Sequence, residues 1–385
     1  MTRLAHAGRL DGSPFVNPPV IHASTVLFDS VAQMKGKSAT PARYTYGRRG
    51  TPTSDSLEGL ITEIEGAVGT VFTPSGASAC ALGLMSVVGA GDHVLVMDGV
   101  YGPTRNACEG VLKRFGVETT YFDTHVGAGI VDLVRPNTRA VFLESPASLT
   151  FEMPDVPAIT TALDGLGDTR PVVLMDNTWA TPLYFAPLAH GVDVSIMAAT
   201  KYVVGHSDAL IGTLACGPRA WKQVKTTHGD LGMWTGPDDM YLALRGARTM
   251  AVRLAQHQRS ALAIARWLET RPEVARVLHP ALPSHPDHAI WKRDFTGASG
   301  LFSFELKPCS FEAVAAFLDG LELFGLGYSW GGFESLAILA EPAAIRTAVP
   351  WSATGPLVRL QIGLEDTDDL LADLARGLDR LAVQP

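Results

Sequence analysis

From residue 51 onward the chain keeps switching between two periods. Short apolar runs stand at 70–73, 93–97, 139–144, 171–176, 193–198 and 209–216. Stretches of helical spacing separate most of them. Ser54 and Asp55 are placed to cap a helix running through Leu57, Leu60, Ile61 and Ile64 to Gly66. Ser75-Gly76-Ala77-Ser78 opens another through Leu82 and Met85, and further helices are predicted at 103–115 and 156–166. Runs that are apolar at every position belong to strands buried on both faces. Their alternation with helices predicts an α/β fold with a mostly parallel sheet between helical layers. In such sheets ligands bind at the carboxyl ends of the strands. Glu144 and Asp176 each close an apolar run, so both point to one rim.

The rest of the chain falls around that unit. Residues 1–50 have no sustained period and are rich in Pro, Gly, Ser and Thr. Val20, Ile21, Val26, Leu27 and Phe28 are apolar enough to pack on something, and a neighbouring subunit suits them. A disordered tail is the plain alternative. A long helical pattern at 237–268 bridges to a mix of strands (274–278, 300–306, 357–362) and helices (311–318, 366–381), which predicts a smaller α+β domain. The expected organisation is an arm (1–50), a main domain (51–246) and a C-terminal domain (247–385), and 385 residues suit two domains.

Composition excludes several function classes. The formal charge is −8 with no basic block, which argues against nucleic acid and anionic membrane surfaces. No run approaches the ~18 apolar residues of a membrane span, and the N-terminus lacks the apolar core of a signal peptide. Cys80, Cys108, Cys216 and Cys309 are scattered, as expected of a reduced cytoplasmic protein with inert thiols. His206, His228, His279, His285 and His288 show no metal-ligand spacing, and no metal is expected.

Lys201 carries the chemistry. It follows an apolar run and precedes Val203-Val204-Gly205, so it is partly buried. Burial disfavours an ammonium, which then either pairs with an acid or does amine chemistry. A lysine snorkelling from a strand end is the plain alternative. Asp176 lies 25 residues earlier, a gap that fits one crossover between strands. Pyridoxal phosphate needs both partners: a lysine to form a Schiff base and a carboxylate to keep the pyridine nitrogen protonated. Gly76 and Ala77 sit at a strand-to-helix turn whose free N–H groups suit a phosphate, although an ordinary N-cap turn reads the same. Tyr101, just past a strand end, could stack on a pyridine ring or be a plain loop tyrosine.

At this point the residues resemble a family. Tyr46-Gly47-Arg48-Arg49-Gly50, Glu144-Ser145-Pro146, Asp176-Asn177-Thr178-Trp179-Ala180 and Ala199-Thr200-Lys201-Tyr202-Val203-Val204-Gly205-His206-Ser207 resemble the Cys/Met-metabolism pyridoxal-phosphate enzymes of the transsulfuration group. So do Tyr328-Ser329-Trp330-Gly331-Gly332-Phe333 and Arg359-Leu360-Gln361-Ile362-Gly363. The resemblance covers nearly the whole chain. It implies a fold-type I, aspartate aminotransferase-like architecture with pyridoxal 5'-phosphate as cofactor, and a homotetramer of tight dimers with shared active sites. It implies that Tyr46 and Arg48 enter the neighbour's site, Tyr46 with a catalytic part and both on the phosphate. Gly76, Ala77 and Thr200 would bind the phosphate, Tyr101 would stack on the ring and assist catalysis, and Ser329 and Arg359 would hold the substrate carboxylate.

The scaffold so implied serves β-elimination, γ-elimination and γ-replacement, all of which need the lysine and Asp176. Trp330 favours the β-eliminating lyases, because many γ-acting relatives carry a smaller residue before the Gly-Gly pair. The implied reaction is cleavage of a cysteine S-conjugate such as cystathionine to homocysteine, pyruvate and ammonia. The alternatives are a γ-acting enzyme on the same scaffold or a catalytically silent cofactor-binding protein. The chain departs from the pattern at Ala198, where many members have Ser. It departs again at Asn106 and in a loop at 226–234, where the distal part of the substrate is expected to bind.

Overall fold

The computed structural model describes residues 2–383. Seven strands form the larger sheet: β1 (Gly69–Thr73), β2 (His93–Met97), β3 (Glu118–Phe122), β4 (Thr138–Glu144), β5 (Val172–Asp176), β6 (Val194–Met197) and β7 (Gly212–Cys216). Their order is β1-β7-β6-β5-β4-β2-β3, and only β7 runs against its neighbours. The mostly parallel sheet expected from the sequence is therefore present.

Strand periodicity explains why both faces had to be apolar. Side chains alternate across a strand. Val71, Ile196, Leu214 and Cys216 enter one core, while Phe72, Met197 and Ala215 enter the other. The first core is closed by the helix Gly76–Met85 among others, the second by Pro52–Glu65 and the long helix Pro237–Leu268.

The smaller sheet contains β8 (Val274–Leu278), β9 (Leu301–Leu306), β10 (Gly325–Leu326), β11 (Leu336–Ala340) and β12 (Leu357–Gln361) in the order β10-β11-β12-β9-β8. It is antiparallel apart from the β10–β11 pair. The helices Phe311–Asp319 and Thr367–Asp379 cover it through Val314, Phe317, Leu370 and Leu374.

The helix Pro237–Leu268 belongs to both halves. Met240, Leu244 and Met250 pack in a core of the larger sheet, and Ile264, Ala265 and Leu268 pack against the smaller one. Proline at its first turn and Asp238 and Asp239 beside it suit a helix start. The domain division expected at 246/247 falls inside this continuous helix.

Several local expectations need correction. The helix after residue 50 begins at Pro52, because Thr51 is the cap; Ser54 and Thr51 exchange hydrogen bonds in a capping box. The segment 103–115 is divided into an α-helix, Gly102–Ala107, and a π-turn, Cys108–Leu112. The supposed loop at 226–234 begins as the last turns of the helix Trp221–Asp230. The arm is not wholly extended. Its first turns form the helix Thr2–His6, which buries Leu4 and Ala7 against Leu57 and Leu60. Arg248 Nη1 donates to the carbonyls of Leu4 and Ala7 at 2.6 and 2.7 Å. Beyond it Phe15, Val16, Leu27, Val31 and Met34 are exposed.

Gly246 lets the long helix touch the turn that follows β6. A Cβ there would stand 2.2 Å from Val204 O and 2.4 Å from Val203 O. Gly246→Ala is expected to destabilise the protein by about 1–3 kcal/mol through overpacking. Gly110→Ala, which meets nothing within 4 Å, should be neutral or slightly stabilising. Thermal denaturation of the two variants checks this: equal melting temperatures would show that the close approach is not maintained in solution.

Candidate active site

The carboxyl ends of β4, β5 and β6 open into a cavity of about 760 Å³, closed on the far side by β11 and the residues after it. Lys201 lies at its floor. Residues 198–205 form a tight turn in which Lys201 N donates to Ala198 O at 2.9 Å and Gly205 N donates to Lys201 O at 2.7 Å. Arg253 Nη2, from the long helix, donates to Val203 O at 3.2 Å and Gly246 O at 2.7 Å. From the smaller domain, Gly331 presses on the lysine backbone: a Cβ there would be 2.9 Å from Lys201 Cβ, and its φ of +82° already favours glycine.

Lys201 Nζ reaches Ser329 Oγ at 3.0 Å and stands 5.2 Å from the Trp330 ring centroid. Burial and, after it, the Arg359 charge lower its pKa to about 8 against the opposing pull of Asp176. Trp330 is itself braced by Tyr202 at 5.6 Å between ring centroids. Arg359, on β12, donates through Nη2 to the carbonyls of Tyr328 at 2.7 Å and Ser329 at 3.3 Å, while its buried Nε has no partner among the described residues. Burial brings its pKa down to about 10, so it stays a cation at neutral pH. A guanidinium in the cavity lining with an N–H left unpaired suits a carboxylate ligand.

Asp176 is only 7% exposed. Its Oδ1 accepts from Thr178 N at 2.9 Å and Thr178 Oγ1 at 2.5 Å, and the Cys80 thiol lies 3.7 Å from Oδ2. Burial raises its pKa, and the Thr178 hydrogen bonds oppose the rise. The neighbouring strand places Glu144 directly beside it. Burial and the Asp176 charge push Glu144 well above the carboxylate range, while the Tyr101 amide, donating at 2.6 Å, pulls the other way. A buried pair of acids of this kind is stabilised by a cation bound between them and the cavity.

The helix Gly76–Met85 starts at the same rim. Ser75 and Ser78 form its capping box, which satisfies Ser78 N and leaves the amides of Gly76 and Ala77 over. Gly76 is required for the helix to sit this close: a Cβ would fall 2.3 Å from Ala198 Cβ. Thr200 lines the cavity, but its hydroxyl already serves Ile211, accepting from N at 2.9 Å and donating to O at 3.3 Å. Only the longer of these bonds is weak enough for the donor to turn toward an anion.

Lys201, Asp176, Gly76, Ala77, Thr200, Tyr101, Trp330 and Arg359 thus share one cavity, and Ser329 touches the lysine at its edge. Three expected residues do not join them within the chain. Asn106 is exposed on the helix Gly102–Ala107 and off the cavity wall. Tyr46 is exposed, and Arg48 Nη1 donates to Gly229 O at 3.0 Å.

Sequence reasoning missed how the cavity wall is anchored. Asp98, fully buried past β2, accepts from the amides of Thr347, Ala348 and Val349 and from Arg105 and Arg346. Burial opposes ionisation, but these donors prevail and hold its pKa at about 2. Arg346 also grips Glu152 at 2.7 Å. Nothing in the local sequence pairs residues 98 and 346; the only signal was an acid at a strand's carboxyl end.

The cavity fits pyridoxal phosphate: two leftover helix amides for the phosphate, a buried carboxylate for a ring nitrogen, an aromatic at the mouth and a lysine of lowered pKa. Comparison with known proteins agrees. The sequence profile of the Cys/Met metabolism PLP-dependent enzymes matches residues 1–379. A protein of Rhizobium johnstonii is 54% identical over 98% of this chain and 95% of its own length. The cystathionine beta-lyase of Escherichia coli is 46% identical over 99% of this chain and 98% of its own. The crystal structure of cystathionine gamma-lyase from Lactobacillus plantarum complexed with L-serine superposes with a TM-score of 0.89 at 30% identity, covering 99% of this chain and 98% of that one.

A pH dependence follows for the cofactor-free protein. The folded lysine titrates near 8 and an unfolded one at 10.5, so between those values the unfolded chain binds more protons and stability rises with pH. Below pH 8 the folded protein carries a buried ammonium at a cost. Lys201→Met is therefore expected to be more stable than wild type at pH 7, with the gap shrinking as pH climbs from 8 to 10.5. Parallel melting curves across that range test it; a constant gap would mean that the lysine is not desolvated.

Proposed function

Because the chain belongs to the family of Cys/Met metabolism PLP-dependent enzymes, we propose that it acts as a cystathionine beta-lyase, splitting L-cystathionine into L-homocysteine, pyruvate and ammonia. It is a pyridoxal-phosphate-dependent carbon–sulfur lyase on a fold-type I scaffold. The observation that carries the β reading is Trp330, held by Tyr202 beside Lys201 and one residue from Ser329, together with the beta-lyase relatives of this length.

When bound, pyridoxal phosphate supplies a carbonyl that condenses with amines and a cationic ring that takes up electrons released at Cα. The protein's own groups do the rest. Lys201 would hold the cofactor in the resting enzyme, and its lowered pKa as a free amine suits it to take the Cα proton of a bound substrate. Asp176, fixed by Thr178, keeps a proton on the ring nitrogen. Gly76, Ala77 and Thr200 bind the phosphate, and Tyr101 covers the ring. Arg359 and Ser329 clamp the substrate carboxylate, and Trp330 limits its tilt so that the Cβ–S bond is presented. The departing thiolate requires a proton, for which Lys201 and Tyr101 are the candidates at the cavity.

The shape of the arm supports the shared-site homotetramer. Its apolar side chains at Phe15, Val16 and Leu27 are uncovered, and Tyr46 and Arg48 lie off the chain's own cavity. In this reading the part of the arm beyond the helix Thr2–His6 reaches a neighbouring subunit, where Tyr46 and Arg48 complete the phosphate site and Tyr46 assists catalysis. The reading also keeps the division into 51–246 and 247–385 around the shared helix, and a cytoplasmic location.

Incubation with cystathionine and mass spectrometry of the products tests the reaction. Homocysteine with pyruvate is expected; cysteine with 2-oxobutyrate would transfer the protein to the γ-acting group. Lys201→Ala is expected to lower kcat by at least about 10²-fold, the range of a lost general base. Borohydride treatment of the loaded wild type followed by peptide mapping should fix the cofactor on residue 201; a label elsewhere overturns the assignment.

A further inference from the structure

Three carboxylates line the cavity: Asp176, Glu144 and Glu341. The first two are committed. Asp176 accepts twice from Thr178, and Glu144 accepts from the Tyr101 amide. Glu341 is different. It follows β11 at the cavity wall and is exposed, and its only hydrogen bond among the described residues is through its backbone carbonyl, from Ala344 N at 3.2 Å. The cations of the lining, Lys201 and Arg359, are both at the reacting end. Toward the tail of a bound substrate, the charge this chain offers is the negative one of Glu341.

The backbone just after that residue is held in place. Pro342 and Ile345 lead directly to Arg346, Thr347, Ala348 and Val349, all bonded to the buried carboxylate of Asp98. Ile345 lines the same cavity. A wall anchored within a few residues spares the backbone ordering that binding would otherwise cost, so that only the side chain of Glu341 has to settle. Asn106, the residue expected to face the distal part of the substrate, is off the wall.

We propose that Glu341 is a specificity-determining residue that binds the ammonium group on the sulfur substituent of the substrate. The preferred substrates are then cysteine S-conjugates whose tail carries an ammonium group, as that of cystathionine does beside its carboxylate. This rests on the β-lyase reading of the same cavity. Glu341 touches no reacting bond, so its contribution is to binding of the tail.

The test compares S-(2-aminoethyl)-L-cysteine with S-propyl-L-cysteine, which differ by an ammonium in place of a methyl group. Pyruvate release is followed with the holoenzyme, wild type and Glu341→Gln. The variant is expected to lose roughly tenfold in kcat/KM on the aminoethyl substrate, through KM, and less than about twofold on the propyl one. Glu341→Lys should go further and favour S-(2-carboxyethyl)-L-cysteine over the aminoethyl compound. Equal losses on the two tails, or an unchanged preference in both variants, would overturn the role of Glu341 while leaving the lyase intact. If wild type released no pyruvate from any of these conjugates or from cystathionine, the β-lyase reading would fail and this proposal with it; pyruvate from cystathionine but none from the aminoethyl conjugate would overturn this proposal alone.

Discussion

An amine kept from water is more readily a free base near neutral pH, and three parts of the fold converge to keep water from Lys201. Desolvation is the leading cause of its lowered pKa. That desolvation depends on three approaches that only small residues permit. Gly246 brings the long helix onto the lysine turn, Gly331 brings the smaller domain onto the lysine backbone, and Gly76 brings the phosphate-facing helix onto Ala198. Each contact joins a different part of the chain to one turn. The lysine is therefore exposed only toward the cavity.

The electrostatics at the rim follow from sheet register. Pairing of β4 with β5 sets Glu144 beside Asp176. Two acids side by side with little water are costly unless something compensates. Thr178 and the Tyr101 amide compensate in part. The remainder favours a cationic ring, and the second acid has a further use: its grip on the Tyr101 amide fixes where that tyrosine begins its helix. Asp176 and Tyr101 are thus coupled through Glu144 and the pairing of neighbouring strands.

Much of this was legible in the sequence, for identifiable reasons. Strands buried on both faces are apolar at most positions, so β2, β4, β5, β6 and β7 stand out. The edge strand β3, Glu-Thr-Thr-Tyr-Phe, has one side in water and gave no such signal. The helix Trp221–Asp230 buries little besides Val224, so its apolar stripe is too thin to separate it from a loop. Thr2–His6 is too short to show a period. At the site, Lys201 and Asp176 could be paired because one crossover separates them. Asp98 and Arg346 could not, since they stand 248 positions apart and only the folded chain brings the smaller domain over β2. Glu341 was silent for the same reason: an acid after a short strand means nothing until a cavity is seen beside it.

The helix shared by both cores also bears on how such enzymes can be recombined. One face of Pro237–Leu268 is cut to fit the larger sheet and a later face to fit the smaller. A chimera of two homologous genes spliced inside this segment would mate a front half shaped by one parent with a back half shaped by the other, and both interiors would inherit mismatched volumes. Splices placed in the connections on either side would exchange an intact spine. Shuffling experiments on this scaffold are therefore best built around that segment as an indivisible block.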